Sequence, residues 1–255
     1  MRTSWMIPFR PKGHEHVLIA CFPKSGSTYL SKVLRETTGL AKAYVSEPGP
    51  QNEQDLAAGR LRRVKRRSVL QQHVKATRNN LELLRQYRMR PIVQTRNLFD
   101  VVASLHDHFQ RDHRSLPCGF ISEGYLRMPW EERLEYLIHV HLPWYFNFAL
   151  SWREAARQIE VCAVTYEQFF SDQVGELQRI SGFYGLPVSE TQITAAIAKA
   201  ARSDTRFNVG VIGRGAEMLG RAHKDAIRRL ANVCGLYVND AGSIAELMPA
   251  RTRAA

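Results

Sequence analysis

The chain is short of cysteine, of acidic residues and of long apolar runs, and each shortage closes off a class of protein. Its cysteines are Cys21, Cys118, Cys162 and Cys234, scattered and without a C-x-x-C pair. No disulfide framework is therefore expected, and two of the four sit in apolar strand-like runs where a reduced thiol acts as a small hydrophobe. No apolar stretch approaches the roughly 18 residues that cross a bilayer. Residues 1–16 include Arg2, Trp5, Pro8, Arg10, Pro11 and Lys12, and they lack the apolar centre and small-residue cleavage site of a secretory signal. The expectation is a soluble, cytoplasmic protein with reduced thiols. At 255 residues and 44% hydrophobic content the chain can bury a substantial core. No segment breaks away in composition, so one domain is expected over 1–255, with 1–16 as an N-terminal extension and 241–255 as a flexible tail.

Acidic residues number 24 against 36 lysines and arginines, a net charge of +12. That excess points to an anionic ligand or surface and leaves nucleic acid, acidic lipid or glycan, and a phosphorylated cofactor open. Its densest part is Arg60, Arg62, Arg63, Lys65, Arg66 and Arg67, either a solvated basic face or a surface for an acidic acceptor or a membrane. The run has no interleaved aromatics on which bases would stack, which argues against single-stranded nucleic acid. Histidines also give no convergent metal site. His106 and His108, like His139 and His141, are two positions apart, so on a helix they diverge by about 200°. Neither these nor His113 has an acidic or thiol ligand at suitable spacing, and no metal is expected.

What is present is a stretch on which the rest can be organised. Residues 17–22, Val-Leu-Ile-Ala-Cys-Phe, have the content of a strand buried on both faces. Pro23 ends it, Gly26 permits close backbone approach, and Ser25, Ser27 and Thr28 offer hydroxyls beside the amides of a helix N-terminus. Lys24 adds a full charge where those donors converge, so the loop suits phosphate-like oxygens. It is not the triphosphate pattern G-x-x-x-x-G-K-[ST], because Lys24 precedes Gly26 by two positions.

Strand-like and helix-like segments then alternate. A helix is expected over 27–36, a loop over 41–59, and a strand over 68–73 that ends in His73. A histidine at the carboxyl end of a strand in an α/β sheet lies where ligands bind. A helix follows over 79–88, then a strand over 91–95 that delivers Arg96 to a strand end, then a helix from 96 onward. Ser104 lies eight positions beyond Arg96, about two helical turns away, and spacing alone does not bring the pair together. A helical region over 130–157 is expected to break at Pro143, with its aromatics as core or acceptor pocket. A strand over 159–166, a helix over 167–184 and another over 189–202 come next. Residues 206–215 form a glycine-rich basic loop whose amides suit an anion, before a last helix over 221–233.

These residues together resemble the cytosolic-type, PAPS-dependent sulfotransferases. Phe22-Pro23-Lys24-Ser25-Gly26-Ser27-Thr28-Tyr29 resembles their 5′-phosphosulfate loop, Y/F-P-K-S-G-T-T-W. Arg96-Asn97-Leu98-Phe99-Asp100-Val101-Val102-Ala103-Ser104 resembles the 3′-phosphate motif R-N-P-x-D-x-x-x-S, whose arginine and serine are the ligands. His73, 23 positions before Arg96, occupies the place of the family's catalytic histidine. Tyr166-Glu167 is similar to the segment whose tyrosine lies near adenine, and Gly182-Phe183-Tyr184-Gly185-Leu186 to the F-L-G-L before a family helix. Asn208-Val209-Gly210-Val211-Ile212-Gly213 is similar to the R-K-G-x-x-G loop over the donor.

The resemblance implies a single-domain α/β fold of P-loop-like kind, three layers with a central mainly parallel sheet flanked by helices. It implies 3′-phosphoadenosine 5′-phosphosulfate (PAPS) as donor, adenosine 3′,5′-bisphosphate (PAP) as product, and no metal. By that resemblance Lys24 and His73 are catalytic, and Lys24, Ser25, Gly26, Ser27, Thr28, Tyr29, Arg96, Ser104, Tyr166, Val209 and Gly210 bind the donor. The acceptor is a small molecule, glycan or lipid, nucleic acid is not a partner, and peripheral membrane contact is open. Several positions depart from the pattern: Tyr29 replaces a stacking tryptophan, Leu98 the motif proline, and Gln71 a lysine found in many members. Asn208-Val209 replaces Arg-Lys, leaving Arg206 or Arg214 to compensate. Two other readings stand beside it: a small-molecule kinase, and a non-enzymatic anion or nucleic-acid binder using the basic run.

Overall fold

The computed structural model describes residues 15–46, 55–111, 115–202 and 211–245. Val17–Cys21 is β1, with every residue buried, as an unbroken apolar run requires of a strand covered on both faces. Helix α1, Ser27–Thr38, ends at Gly39, whose φ of 70° makes the left-handed cap glycine adopts without steric cost. Within the segment expected to be loop, Ala41–Ala43 forms β2 and Ala58–Leu61 a single turn, α2. Local sequence does not announce either: β2 exists through its pairing with β3, Ser68–Gln72, and α2 through burial of Leu61. Next come α3, Arg78–Gln86, whose N-cap Thr77 accepts from Asn80 N, then β4, Pro91–Thr95, and α4, Leu98–Arg111.

Ser115–Leu116 (β5) and Gly119–Phe120 (β6) pair as a small antiparallel hairpin. Two helices follow, α5, Glu123–Arg127, and α6, Trp130–Tyr136. The break expected at Pro143 takes another form. Five residues of π-helix, Leu137–His141, lead into α7, Leu142–Ala155, and Pro143 falls in its first turn, where a missing N–H costs nothing. Strand β7, Cys162–Thr165, is shorter than expected and passes directly into α8, Tyr166–Ser171. The single helix expected over 167–184 is split at Asp172, whose carboxylate accepts from Gly175 N and so starts α9, Gln173–Phe183. A capping box of Ser189 and Gln192 opens α10, Glu190–Ala201, and α11, Arg214–Met218, and α12, Arg221–Val233, complete the helices.

The main sheet runs β2-β3-β1-β4-β7 and every pair in it is parallel. Successive side chains of β1 feed opposite cores. Leu18, Ala20 and Phe22 join Leu70 and Val93 beneath α4, α7 and α12, whereas Val17, Ile19 and Cys21 join Ile92 beneath α1, α9 and α10. This is the expected three-layer α/β fold. The chain builds β2 and β3 on one side of β1, then β4 and β7 on the other, so the order reverses at β1 and opens a crevice beyond its carboxyl end.

Both ends of the described chain are tied in. Glu15 bonds the guanidinium groups of Arg67 and Arg90, and His16 is buried. Residues 241–245, expected as the start of the tail, are packed: Gly242 O accepts from Leu98 N, Val238 bridges Ile244, and a Cβ on Gly242 would lie 2.6 Å from the Phe99 ring. All four cysteines are free thiols. Among the described residues no helix is long and apolar enough to cross a membrane.

Candidate active site

Strand register alone gathers the predicted residues. Ala20 lies opposite Gln72, Cys21 opposite Gln94, and Thr95 opposite Thr165. The residues that leave these parallel strands, Lys24, His73, Arg96 and Tyr166, therefore emerge at one edge of the sheet.

Between β1 and α1 the backbone turns through two left-handed residues, Lys24 at φ 65° and Gly26 at φ 74°. For Lys24 that conformation costs about 1 kcal/mol, and long-range bonds hold it. Ser25 Oγ donates to Phe22 O at 2.8 Å, Tyr145 OH to Pro23 O at 3.2 Å, Arg96 Nη1 to Lys24 O at 3.2 Å, and Gln94 Nε2 to Ser25 O at 3.0 Å. Four successive carbonyls thus face protein donors. The loop is left to present N–H groups, and α1 begins at Gly26 without a side-chain cap, so its first-turn amides add to them. Fixed donors at a helix start beside Lys24 make an anion cradle. Gly26 is required for a second reason: a Cβ there would lie 2.7 Å from the Tyr166 ring.

Loop side chains divide in their roles. Ser25 is fully buried with its hydroxyl turned inward, Ser27 is buried and accepts from Gln71 Nε2 at 2.9 Å, and Thr28 is exposed. Tyr29 stacks on Phe170 with centroids 5.3 Å apart and donates to Gln173 Oε1 at 3.0 Å. Burial raises its phenol pKa, as it does that of Tyr166.

His73 follows β3 and is half-buried, with Nδ1 2.9 Å from Cys21 O. A carbonyl only accepts, so Nδ1 carries the proton, and in the neutral ring Nε2 is the nitrogen with the lone pair. Arg96 is held on four sides. Its guanidinium lies 4.0 Å from the Tyr166 ring centroid, bonds Lys24 O, and reaches Asp100 Oδ2 at 3.4 Å and Val211 O at 3.5 Å. Ser104 is buried on α4, and none of these Arg96 bonds goes to it.

Asp100 was not singled out from the sequence, yet it organises this corner. Its side chain is fully buried, Oδ2 accepts from Gly213 N at 3.0 Å and Oδ1 from Gly215 N at 2.7 Å. Nearby, Glu167 Oε1 accepts from Asn97 N at 3.0 Å, and burial raises the Glu167 pKa. Gln94 and Tyr145 were missed as well. A polar residue inside the apolar 91–95 run was the available sign for Gln94, whereas nothing local marks Tyr145.

Val209 and Gly210, with Arg206, Asn208 and His113, lie outside the described residues. Arg214 is committed elsewhere, with Nη2 2.6 Å from Asp107 Oδ2. Arg66 and Arg67 precede β3, so they lie about 20 Å along that strand from His73 at the opposite edge of the sheet. Arg67 there donates to Glu15 O and Tyr184 O. Among the described residues no three His, Cys, Asp or Glu side chains gather as a metal site.

Comparison with known proteins fits this architecture. The family model described as the sulfotransferase domain matches residues 14–209. Mouse sulfotransferase SULT7A1 complexed with PAP superposes with a TM-score of 0.66 at 19% identity, over 85% of this chain and 82% of that one. Retinol dehydratase in complex with androsterone and inactive cofactor PAP gives 0.62 at 14% identity, over 96% and 84%. The same protein with retinol and PAP gives 0.56 at 15%, over 89% and 82%. At such identities these likenesses are of fold. Sequence comparison with curated proteins finds no match. Because the domain pattern covers most of the chain, from before β1 through α10, this protein belongs to the sulfotransferase family.

Proposed function

We propose that the chain transfers a sulfuryl group from PAPS to a hydroxyl or amine of a small-molecule acceptor and releases PAP. One observation carries the reading: an uncapped helix start with its loop carbonyls turned away, Lys24, a histidine held through Nδ1 by Cys21 O, and a clamped arginine share one sheet edge. The bound donor supplies the sulfuryl group and a phosphate leaving group. Such transfers depend on positioning and charge stabilisation more than on covalent help from the protein.

The loop amides from Ser25 to Thr28 bind the 5′ end, Ser25 acting through its backbone because its hydroxyl bonds Phe22 O. Ser27 accepts from Gln71, which leaves its own proton for a donor oxygen. Lys24 stabilises charge on the leaving phosphate. His73 Nε2 takes the proton of the acceptor, and Cys21 O stabilises the imidazolium through Nδ1–H. Arg96 and Ser104 bind the 3′-phosphate, Tyr29 and Tyr166 contribute the aromatic wall beside the adenine, and Val209 and Gly210 are further donor-binding residues of this reading. No metal enters the scheme. The neighbours that carry retinol and androsterone favour a small, largely apolar acceptor over an anionic one.

The test is isothermal titration with PAP, and turnover with labelled PAPS against a panel of phenols, sterols, sugars and lipids. His73→Ala is expected to retain PAP affinity while losing about 10²- to 10⁴-fold in turnover. A wild-type protein with no affinity for PAP would end the proposal.

A further inference from the structure

The carboxylate of Asp100 has more partners than an ordinary helix residue. It sits in the first turn of α4 with a fully buried side chain, and three donors converge on it: Gly213 N, Gly215 N and Arg96 Nη2. Gly215 can approach only because it lacks a side chain, since a Cβ there would lie 2.1 Å from the Phe99 carbonyl. Val211 O, from the same turn, faces Arg96. On its other side Arg96 bonds Lys24 O in the anion loop. A chain of contacts thus runs from the glycine turn through Asp100 and Arg96 to the loop that carries Lys24.

We infer that Asp100 is a positioning residue: it fixes the 211–215 turn and the Arg96 guanidinium in one arrangement, so that the site selects donors bearing a 3′-phosphate. This rests on the reading of Arg96 as a 3′-phosphate ligand. Two effects of removing the carboxylate oppose each other. Loss of a negative charge beside Arg96 favours a phosphate, whereas loss of orientation disfavours it. Orientation dominates, because both oxygens of Asp100 face donors and the amide of an asparagine supplies only one acceptor oxygen. Either orientation of that amide sets an N–H against another donor, and a buried donor without an acceptor is displaced or penalised.

The experiment compares PAP with adenosine 5′-monophosphate by calorimetry in wild type and Asp100→Asn. Wild type prefers PAP, and in Asp100→Asn the preference, the ratio of the two affinities, falls by about tenfold or more, the scale of one charge-assisted hydrogen bond. A folded Asp100→Asn protein whose preference is unchanged or larger overturns the inference. Should that variant fail to fold, amide hydrogen exchange on wild type decides: PAP is expected to protect Gly213 and Gly215 far more than the monophosphate does, and equal protection overturns it. A wild type with no preference for PAP instead refutes the donor assignment, a result distinct from either.

Discussion

Two helices start at the same edge of the sheet, one after β1 and one after β4, and they start in opposite ways. At α4, Asn97 N donates to Glu167, Leu98 N to Gly242 O, and Asp100 N to the Asn97 side chain. At α1 there is no side-chain cap, and the loop carbonyls before it are taken by Ser25, Tyr145, Arg96 and Gln94. Every helix start offers donors and a positive end of the dipole. The protein answers that demand itself at α4 and leaves it open at α1. In the proposed reading the 5′-phosphosulfate goes to the open start at α1, and α4 presents Arg96 and Ser104.

The largest effect that separates the two starts is at Lys24. Lys24→Ala removes the side-chain cation of the open start, and a fall in kcat of about 10²- to 10³-fold is expected, as for loss of one preorganised charge-stabilising group. Steady-state kinetics with PAPS check it. Turnover within tenfold of wild type would mean that the α1 cradle is not where charge develops.

Next in size is Gly26. Alanine there takes on φ 74° and places a Cβ 2.7 Å from the Tyr166 ring, whereas a Cβ at Gly39, at φ 70°, would meet nothing within 4 Å. Left-handed backbone costs about 1–2 kcal/mol at either site. Displacement of Tyr166 adds about 1–3 kcal/mol at Gly26 alone, for a total of about 2–5 kcal/mol. Denaturant unfolding of Gly26→Ala and Gly39→Ala measures the difference, and equal losses would show that close packing of Tyr166 against the loop is unimportant.

These two starts also mark how far the sequence could be read. Strand β1 was legible because a strand buried on both faces reads as an unbroken apolar run, and β3, β4 and β7 because each has a short apolar centre, Val69-Leu70, Ile92-Val93 and Ala163-Val164. Lys24, His73 and Arg96 were legible because each follows such a strand. Legibility ended where a structure depends on distant partners. Strand β2 is three residues that exist through pairing with β3, and Asp172 divides a helix through a side-chain bond to Gly175. The α4 cap comes from Glu167 and Gly242, and the carbonyl-binding donors of the α1 loop come from Gln94, Arg96 and Tyr145. Periodicity describes a residue's own element and is silent about such long-range bonds.

A smaller effect tests the closed start. Asn97→Ala removes the acceptor for Asp100 N and is expected to cost about 1 kcal/mol of stability, the usual value of an N-cap. PAP affinity should stay within about threefold, because the Asn97 and Leu98 amides keep their protein acceptors. Calorimetry and denaturant unfolding on the same preparation separate the two readouts. A tenfold loss of PAP affinity at unchanged stability would place α4 among the phosphate-binding elements.

The smallest effect sharpens the comparison most, because it asks whether α4 needs an anion at its start or only an acceptor. Glu167 is held above the ordinary carboxylate pKa by burial, against the lowering effect of its bond from Asn97 N. With the folded pKa raised, the folded protein binds more protons than the unfolded chain, so the contribution of Glu167 to stability is full below the unfolded pKa and is lost as pH rises through the folded value. At neutral pH the charged form is therefore a burden that its hydrogen bond offsets only in part. Glu167→Gln keeps an acceptor oxygen for Asn97 N and drops the charge. It is expected to fall within about 1 kcal/mol of wild type at pH 7, and to compare less favourably at pH 4, where wild type has taken up its proton. Its PAP affinity should rise slightly, since a negative charge that acts on Arg96 is gone. Unfolding at the two pH values checks the sign. If Glu167→Gln instead lost more than about 2 kcal/mol at pH 7, a cost on the scale of a buried charge-assisted bond, α4 would need a full anion at its start, as the proposed reading has it for α1. The contrast between a start satisfied from within and one left for the donor would then fail.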